Sequence, residues 1–190
     1  MSDHTLKPAI FLDRDGVIVE NRADYVKSIA EVHILPGALA GLAQAARLDC
    51  RIVVVTNQSV VGRGLLSEQG LLAINAHIDD VIVAAGGRID AWYFCPHLPE
   101  ANCACRKPKP GMLLSAAADW NIDLPASVMI GDALSDVEAA HAAGTQAILV
   151  RTGLGHRHTA DLAPVGPIDV PVVRDLAAAL AHIATAQLLT

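Results

Sequence analysis

Residues 9–16 read AIFLDRDG, in which a short apolar run leads directly into two carboxylates, Asp13 and Asp15. The apolar residues are typical of a buried strand, and the carboxylates stand where that strand should stop. Like charges held close together in a low-dielectric setting repel each other, so one carboxyl group would be pushed toward protonation. A bound cation is the natural compensation, because Mg²⁺ prefers carboxylate oxygens and water as ligands. The stretch therefore indicates chemistry at the end of a strand.

Similar β-branched runs recur along the chain, and helical patterns separate them. The predicted strands are Ala9–Asp13, Ile52–Thr56, Ala91–Cys95, Val128–Asp132, Gln146–Val150 and Val170–Val173. The predicted helices are Ala38–Leu48, Ser67–Ala85, Gly111–Trp120, Ser135–Ala143 and Asp175–Leu189. This alternation predicts an α/β fold with a central parallel sheet covered by helices on both faces. Ligands of such folds bind beyond the carboxyl ends of the strands.

The composition limits the classes of function. The 190 residues suit one domain, which we assign to residues 1–190. A net charge of −6 argues against a nucleic-acid partner. No apolar stretch reaches the roughly 18–20 residues that span a bilayer, and the first eight residues show no basic segment followed by an apolar one. We therefore expect a cytoplasmic protein with no nucleic-acid and no membrane partner.

Polar residues follow the predicted strands, as the binding rule for α/β folds requires. The segment Thr56–Ser59 follows the second strand, Asp132 ends the fourth, and the run Cys103–Gly111 precedes a helix. Together with Asp13 and Asp15 they supply a nucleophile, an acid, hydroxyl and amide donors, a cation and a metal ligand. Phosphoryl transfer through a covalent aspartyl phosphate requires these groups.

On these residues the chain resembles the phosphatases of the haloacid dehalogenase (HAD) superfamily. The superfamily pattern is a D-x-D after the first strand, a Thr or Ser after the second, a Lys before a later helix and a G-D-x(3)-D. It appears here in order, as Asp13/Asp15, Thr56, Lys107 and Asp132 to Asp136. The fuller strings FLDRDG, VTNQS and CRKPKPGM resemble the D-glycero-D-manno-heptose 1,7-bisphosphate 7-phosphatases and the related histidinol-phosphate phosphatases. The resemblance covers residues 9–152 and implies a three-layer Rossmann-like fold.

The resemblance implies a role for each matching residue. Asp13 is expected to attack phosphorus, and Asp15 to protonate the leaving oxygen and later to deprotonate water. Lys107 is expected to offset the charge on the phosphoryl group. Mg²⁺ is expected to bind the carboxylate of Asp13, the main-chain carbonyl of Asp15 and the carboxylate of Asp132. Asp136 is expected either to support Lys107 or a metal-bound water, or only to occupy the first turn of a helix.

Substrate binding is expected to involve several further side chains. Thr56, Asn57 and Gln58 can contact phosphoryl oxygens, although such a segment alone is more often a turn. Arg106 suits a second phosphate, because Arg binds phosphate in bidentate fashion. Arg63 is a second candidate for that anion, unless the segment around it is only a flexible turn. A second anion at the far end of the substrate favours a sugar bisphosphate over histidinol phosphate, whose far end is cationic.

The connections between the motifs bear on the size of the substrate site. Asp15 and Thr56 are separated by forty residues, and Thr56 and Lys107 by fifty. Predicted strands, helices and loops fill both connections, so neither has room for an independent cap domain. We therefore expect a site without a cap, where loops such as residues 20–25 select the substrate.

A second cluster contains Cys95, His97, Cys103 and Cys105. Three thiols and an imidazole make a complete tetrahedral zinc shell, which leaves no position open for catalysis. The alternative is a reactive thiol pair, but the nearby histidine favours structural Zn²⁺. The related heptose phosphatases carry a longer zinc loop. Here the loop, at about residues 95–105, leads into Arg106 and Lys107, so zinc would fix the position of both.

These inferences combine into one functional hypothesis. We expect a Mg²⁺-dependent phosphatase that removes the 7-phosphate of heptose 1,7-bisphosphate, and the family implies a role in supplying nucleotide-activated heptose for bacterial surface polysaccharide. The alternative is histidinol phosphate or another small phosphomonoester. A non-catalytic binding module is disfavoured by the complete set of reactive residues, and a phosphomutase by the absent cap. A monomer is the default expectation.

Overall fold

The computed structural model describes residues 5–155 and 170–189. In chain order the strands are β1 (Ala9–Leu12), β2 (Arg51–Asn57), β3 (Ala91–Cys95), β4 (Val128–Gly131), β5 (Gln146–Val150) and β6 (Val172–Val173). The helices are α1 (Ala38–Ala45), α2 (Ser59–Gly62), α3 (Glu68–Ala84), α4 (Gly111–Trp120), α5 (Leu134–Ala143) and α6 (Leu176–Ala186). The strands form one sheet in the order β3-β2-β1-β4-β5-β6, and each neighbouring pair is parallel. The predicted α/β fold is confirmed.

Alternate side chains of the strands point to opposite faces of the sheet, and helices cover both faces. On one face Ile10 and Leu12 pack with side chains from α1, α3 and α6. On the other face Phe11 packs with side chains from α4 and α5. Each Ile, Leu or Phe side chain buried in this way contributes about 1.5–3 kcal/mol. This packing produces the three layers that the sequence predicts.

The observed elements differ from the predicted ones mainly at their ends. β1 ends at Leu12 and β4 at Gly131, one residue before Asp13 and Asp132, because both aspartates leave the sheet to enter a cleft at its edge. The first and last helices each end three residues earlier than predicted. The last helix stops where Gln187 adopts a left-handed backbone, with φ 52°. β6 covers only the last two of its four predicted residues, and the short helix α2 was not predicted.

The strand order brings the predicted site residues to one edge of the sheet. β2, β1 and β4 are adjacent and parallel, so the residues that follow them meet at their carboxyl ends. The predicted zinc loop starts at the end of β3, beside β2. Across residues 5–155 and 170–189, the connections hold helices and loops but no separate cap domain. In the same ranges no helix is both long enough and apolar enough to cross a membrane.

Candidate active site

A cleft of about 280 Å³ lies at the carboxyl ends of β1, β2 and β4. Its walls include most of the predicted site residues, namely Asp13, Asp15, Thr56, Asn57, Gln58, Arg106 and Asp132. Arg63 is exposed, and its Nε donates to the hydroxyl of Tyr25 at 3.0 Å. Tyr25 itself lines the cleft, so Arg63 is connected to the cleft wall through this tyrosine.

The ammonium group of Lys107 is buried beside two carboxylates. Nζ lies 3.1 Å from Oδ2 of Asp13 and 2.6 Å from Oδ1 of Asp136. It also donates to the main-chain oxygen of Val55 at 2.8 Å. Burial alone would lower the pKa of Lys107, but the charges of Asp13 and Asp136 more than offset this effect and raise that pKa. The lysine is therefore held as a cation directly behind Asp13.

The carboxylate of Asp136 serves both Lys107 and the start of a helix. Its Oδ2 accepts a hydrogen bond from the main-chain N–H of Ala133 at 3.0 Å, just before α5. Burial raises the pKa of Asp136 to about 6, while the charge of Lys107 acts in the opposite direction. Gly131 leaves room for this side chain, because a Cβ there would lie 2.2 Å from the Cβ of Asp136. The two roles considered for Asp136, support of Lys107 and capping of a helix, are thus both present in its contacts.

Main chain closely surrounds the carboxylate of Asp132. Its Oδ2 accepts a hydrogen bond from the N–H of Leu154 at 2.6 Å. A Cβ would lie 2.1 Å from this oxygen at Gly16 and 2.2 Å from it at Gly153, and both glycines have left-handed backbones, with φ +89° and +59°. Burial, and then the charges of neighbouring carboxylates, raise the pKa of Asp132 to about 8. The raised pKa favours the neutral carboxyl group of Asp132 unless a cation lies beside it. The carboxyl group also leaves no room for a residue larger than glycine at positions 16 and 153.

The cluster of Asp13, Asp132 and Asp136 fits a divalent cation. Carboxylate oxygens of the three residues lie within 4.8 Å of one another. A cation would relieve the repulsion that contributes to the raised pKa of Asp132, and hard oxygen ligands suit Mg²⁺. Asp13 and Asp132 line the cleft, whereas Asp136 is 1% exposed and does not line it, so the carboxylates most available to the metal are those of Asp13 and Asp132.

Arg14 and Gln58 hold the carboxylate of Asp15. Nε and Nη2 of Arg14 donate to its two oxygens at 2.9–3.2 Å. Nε2 of Gln58 donates to Oδ2 of Asp15 at 2.6 Å and to the hydroxyl oxygen of Thr56 at 3.0 Å. Gln58 is buried, so both of its amide N–H groups are used by internal partners. Its contacts position Asp15 and Thr56, whereas the sequence suggests phosphate binding.

Thr56 and Asn57, at the end of β2, have different surroundings. The hydroxyl oxygen of Thr56 accepts from Gln58, which leaves its own hydrogen to be donated into the cleft. The side-chain amide of Asn57 accepts from the main-chain N–H of Lys107 at 3.1 Å and donates to the main-chain oxygen of Lys107 at 3.1 Å. This reciprocal pair fixes the main chain of Lys107 against the end of β2. Asn57 therefore places Lys107, a task that its sequence position does not reveal.

The four residues of the predicted zinc shell converge. The sulfur of Cys105 lies 3.3 Å from that of Cys95 and 3.4 Å from that of Cys103, and Cys95 and Cys103 are 3.6 Å apart. Nδ1 of His97 lies 3.3 Å from the sulfur of Cys105 and 3.6 Å from that of Cys95. Zinc with Zn–S bonds of about 2.3 Å separates tetrahedral ligands by about 3.8 Å, whereas a disulfide requires about 2.05 Å. The cluster fits a closed zinc shell better than a thiol pair.

Close main-chain contacts connect the zinc loop to its surroundings. The N–H of Gly62 donates to the oxygen of Pro96 at 3.1 Å, and the N–H of Gly111 donates to the oxygen of Ala104 at 3.2 Å. A Cβ would come within 2.5 Å of the first oxygen and 2.4 Å of the second. The loop is thus fixed to α2 on one side and to α4 on the other. Lys107 lies within the turn that the contact between Ala104 and Gly111 closes, so this contact helps to fix its main chain.

Arg14, Arg22 and Tyr25 are among the site residues that the sequence analysis did not single out. Arg14 is only 1% exposed. Its position between the motif residues Asp13 and Asp15 is the sequence feature that could have indicated its role. Arg22 and Tyr25 line the cleft within the predicted selecting loop. Tyr25 has a left-handed backbone, with φ 66°, which no pattern in the sequence indicates.

Comparisons of the sequence with known proteins show the family to which the chain is related. A family model described as HAD-hydrolase-like matches residues 104–179. The D-glycero-β-D-manno-heptose-1,7-bisphosphate 7-phosphatase of Bordetella bronchiseptica is 41% identical over 170 residues, which are 89% of this chain and 93% of that relative. The enzyme of the same name from Pseudomonas aeruginosa is 36% identical over 169 residues, with coverage of 89% and 93%.

Solved structures give the same result for the fold. The crystal structure of D,D-heptose 1,7-bisphosphate phosphatase from B. bronchiseptica, complexed with magnesium and phosphate, aligns with a TM-score of 0.87 and 39% identity, over 94% of this chain and 99% of that one. The D,D-heptose 1,7-bisphosphate phosphatase from Burkholderia thailandensis aligns with a TM-score of 0.72 and 34% identity, over 94% and 99%. The similarity therefore extends beyond residue 152, where the recognisable motifs end.

Proposed function

The chain belongs to the D-glycero-D-manno-heptose-1,7-bisphosphate 7-phosphatases of the HAD superfamily, and on that premise we propose that it hydrolyses the 7-phosphate of D-glycero-β-D-manno-heptose 1,7-bisphosphate. The observation that carries the proposal is the arrangement around Asp13. The carboxylate of Asp13 faces the cleft, and Nζ of Lys107 lies 3.1 Å from its Oδ2. A carboxylate oxygen of Asp132 lies within 4.8 Å of one of Asp13. This arrangement suits nucleophilic attack on a phosphate monoester.

In the first step, we assign the attack on phosphorus to Asp13. The carboxylate oxygen forms a bond to phosphorus while the bond from phosphorus to the sugar oxygen breaks. The ammonium group of Lys107 balances the negative charge of the carboxylate and of the phosphoryl group. The hydroxyl of Thr56 lines the cleft and can donate to a phosphoryl oxygen.

Asp15 is assigned to move the proton in both steps. Its carboxyl group gives a proton to the leaving sugar oxygen as the bond to phosphorus breaks. The resulting carboxylate then accepts a proton from the water molecule that attacks the aspartyl phosphate, which releases phosphate and restores Asp13. Arg14 and Gln58 hold Asp15 in one orientation for this work.

Asp13, the main-chain carbonyl of Asp15 and Asp132 would hold Mg²⁺, which supplies the positive charge that lets an anionic nucleophile approach an anionic phosphate. The residues present fit this assignment, because two aspartates share the cluster and glycines leave space around Asp132. Zn²⁺ is assigned to Cys95, His97, Cys103 and Cys105, where it would fix the position of Lys107.

A second phosphate on the substrate has a partner in Arg106. This residue lines the cleft, and its Nη1 is held by the main-chain oxygen of His97 at 3.2 Å. A guanidinium fixed in this way can still offer its other N–H groups to a phosphate. This feature supports a bisphosphate over histidinol phosphate.

We propose in addition that residues 1–190 form one domain and that the protein is a monomer. We also propose that it acts in the cytoplasm, in a pathway that supplies nucleotide-activated heptose. Light scattering after size exclusion measures the molecular mass directly. A mass of twice 19.9 kDa would contradict the monomer.

The deciding experiment measures phosphate release from the α and β anomers of heptose 1,7-bisphosphate and from histidinol phosphate. We expect kcat/KM to be highest for the β anomer, ³¹P NMR to show loss of the 7-phosphate, and the activity to vanish in Asp13→Asn. A preference for histidinol phosphate would overturn the substrate assignment. Retained activity in Asp13→Asn would overturn the mechanism.

A further inference from the structure

The side chain of Arg14 is buried, yet it is directed at a single carboxylate. Its Nε donates to Oδ1 of Asp15 at 3.2 Å, and its Nη2 lies 3.0 Å from Oδ1 and 2.9 Å from Oδ2 of the same residue. Nη2 also donates to Oε1 of Gln58 at 3.0 Å. With 1% of its surface exposed, this guanidinium is almost fully desolvated.

The remaining end of Arg14 is attached to Asn75, on α3. Nη1 of Arg14 donates to Oδ1 of Asn75 at 3.2 Å. Asn75 is a buried polar residue on the apolar face of α3, between turns that carry Leu71 and Ile78. Its Nδ2 is buried and finds no hydrogen-bond partner among residues 5–155 and 170–189. A buried amide N–H without a partner lowers stability. The packing of α3 alone therefore does not explain why an asparagine stands at this position.

A purely structural ion pair does not account for this arrangement. Charge balance for Asp15 could come from a solvated cation, which would avoid burying a guanidinium. The planar fork of Arg instead fixes the plane and the rotamer of the carboxylate that it binds. The contact with Asn75 in turn fixes the guanidinium from the side opposite Asp15.

We propose that Arg14 is a positioning residue that holds the carboxyl group of Asp15 toward the leaving oxygen, and that Asn75 is the anchor that holds Arg14. The proposal rests on the role of Asp15 as general acid given above. It extends the site to α3, a helix that lines no part of the cleft. Arg14 and Asn75 act only through Asp15, so their effect should follow how much a reaction depends on Asp15.

The nature of the leaving group measures that dependence. A sugar oxygen needs a proton to leave, whereas p-nitrophenolate leaves as a stable anion. The ratio kcat/KM reports only the steps up to departure of the leaving group, so the later role of Asp15 as a base does not enter it. Misplacing a general acid therefore lowers kcat/KM for a sugar phosphate and has little effect on kcat/KM for p-nitrophenyl phosphate. A loss of folded enzyme or of phosphate binding would instead slow both substrates equally.

The test compares kcat/KM for heptose 1,7-bisphosphate and for p-nitrophenyl phosphate in Asn75→Ala and Arg14→Lys. We expect each variant to lose about 10- to 100-fold in kcat/KM on the bisphosphate and less than about 3-fold on p-nitrophenyl phosphate. Asn75→Asp keeps an oxygen that can accept from Arg14, and it should restore most of the lost rate. Ile78→Ala, on the same face of α3, is the matched control, because it lowers stability without removing a hydrogen bond to Arg14 and should keep the ratio of the two kcat/KM values.

Asp15→Asn separates this proposal from the function on which it rests. If Asp15 is the general acid, this variant loses about 10²- to 10⁴-fold in kcat/KM on the bisphosphate and far less in kcat/KM on p-nitrophenyl phosphate. Equal losses on both substrates in Asp15→Asn would overturn the acid role itself. The same selectivity in Asp15→Asn, combined with equal losses in Asn75→Ala and Arg14→Lys, would overturn only the positioning role.

Discussion

Lys107 and Asp136 form an ion pair of 2.6 Å in which both side chains are 1% exposed. Asp136 is therefore the buried counter-ion of Lys107, although it belongs to the G-D-x(3)-D motif that also supplies Asp132. The two carboxylates of this motif thus have different roles. Asp132 faces the cleft, and Asp136 keeps the ammonium group in place behind Asp13.

Replacement of the counter-ion should affect catalysis more than binding. Asp136→Asn keeps an oxygen for the N–H of Ala133 but removes the charge beside Lys107. We expect kcat to fall about 10- to 100-fold, because Lys107 shifts away from its present position, and the free energy of unfolding to fall by up to about 3 kcal/mol. Steady-state kinetics and urea denaturation measure both. An unchanged kcat would show that Asp13 alone can position the lysine.

Loss of one zinc ligand should reach the active site. Cys103→Ser opens the shell that holds the loop before Lys107, so we expect loss of bound zinc, a lower Tm and about a tenfold lower kcat. Metal analysis, thermal unfolding and kinetics on the same preparation measure these effects. Cys50→Ser is the control, because Cys50 is buried elsewhere and belongs to no metal cluster in the described ranges. A zinc-free variant with full activity and unchanged stability would refute the connection.

The glycines around Asp132 should control magnesium affinity. Gly16→Ala places a Cβ within 2.1 Å of the Asp132 carboxylate, so that carboxylate must move. We expect the Mg²⁺ concentration for half-maximal activity to rise about 10- to 100-fold. Gly144→Ala has a comparable φ of +78° but open space around the new Cβ, so it bears only the backbone strain of about 1–2 kcal/mol. Equal magnesium dependence in both variants would contradict the role of Gly16.

Removal of the guanidinium at Arg106 should affect only substrates with a second phosphate. We expect Arg106→Ala to raise KM for heptose 1,7-bisphosphate about 10- to 100-fold, since a charge-assisted contact is lost. KM for p-nitrophenyl phosphate should stay within about twofold of its original value. Arg47→Ala removes an exposed arginine outside the cleft and controls for the change in net charge. Equal increases in KM for both substrates would remove Arg106 from the second phosphate site.

The cap of α6 gives a pH-dependent contribution to stability that is separate from catalysis. Oδ1 of Asp175 accepts from the N–H of Ala178 at 2.9 Å, and Arg174 donates to Oδ2 at 2.7 Å. Burial alone would raise the pKa of Asp175, but these hydrogen bonds lower it. A lowered pKa in the folded state stabilises the protein above the unfolded pKa of about 3.9, and this stability is lost as the pH falls through the folded pKa.

Asp175→Ala should therefore cost about 1 kcal/mol near neutral pH and progressively less below about pH 4. Urea denaturation at several pH values measures the difference from the original protein, and kcat should not change. A difference that is independent of pH would show that the carboxylate charge does not contribute.

The sequence predicts the layers and the site motifs because both depend on local patterns. Strand and helix periods identify the parallel sheet, and the position of Asp13 after β1 places it at the carboxyl edge. The contacts that hold the motif residues could not be predicted in the same way. Arg14 meets Gln58 and Asn75 from positions 44 and 61 residues away, and only the folded packing brings such partners together.

The same limit explains why the contacts of two amide side chains at the cleft were not predicted. Asn57 and Gln58 lie where phosphate ligands are expected, and nothing in their spacing shows that Lys107 and Asp15 use their hydrogen-bonding groups. The helix α2, with four residues, is too short for a hydrophobic period. Residue type and order thus identify the residues near the reacting atoms, whereas the role of each residue follows only from its contacts in the folded structure.

The hydrogen bond from Leu154 to Asp132 has a consequence for how the protein is made. Asp13 leaves the ribosome early, but the aspartate that shares its cluster and the residue that orients that aspartate are synthesised late. A nascent chain that stops before residue 154 lacks a partner for Asp132, so about four fifths of the 190 residues must be translated before the site can be complete. Truncated translation products of this chain are therefore expected to be inert rather than partly active.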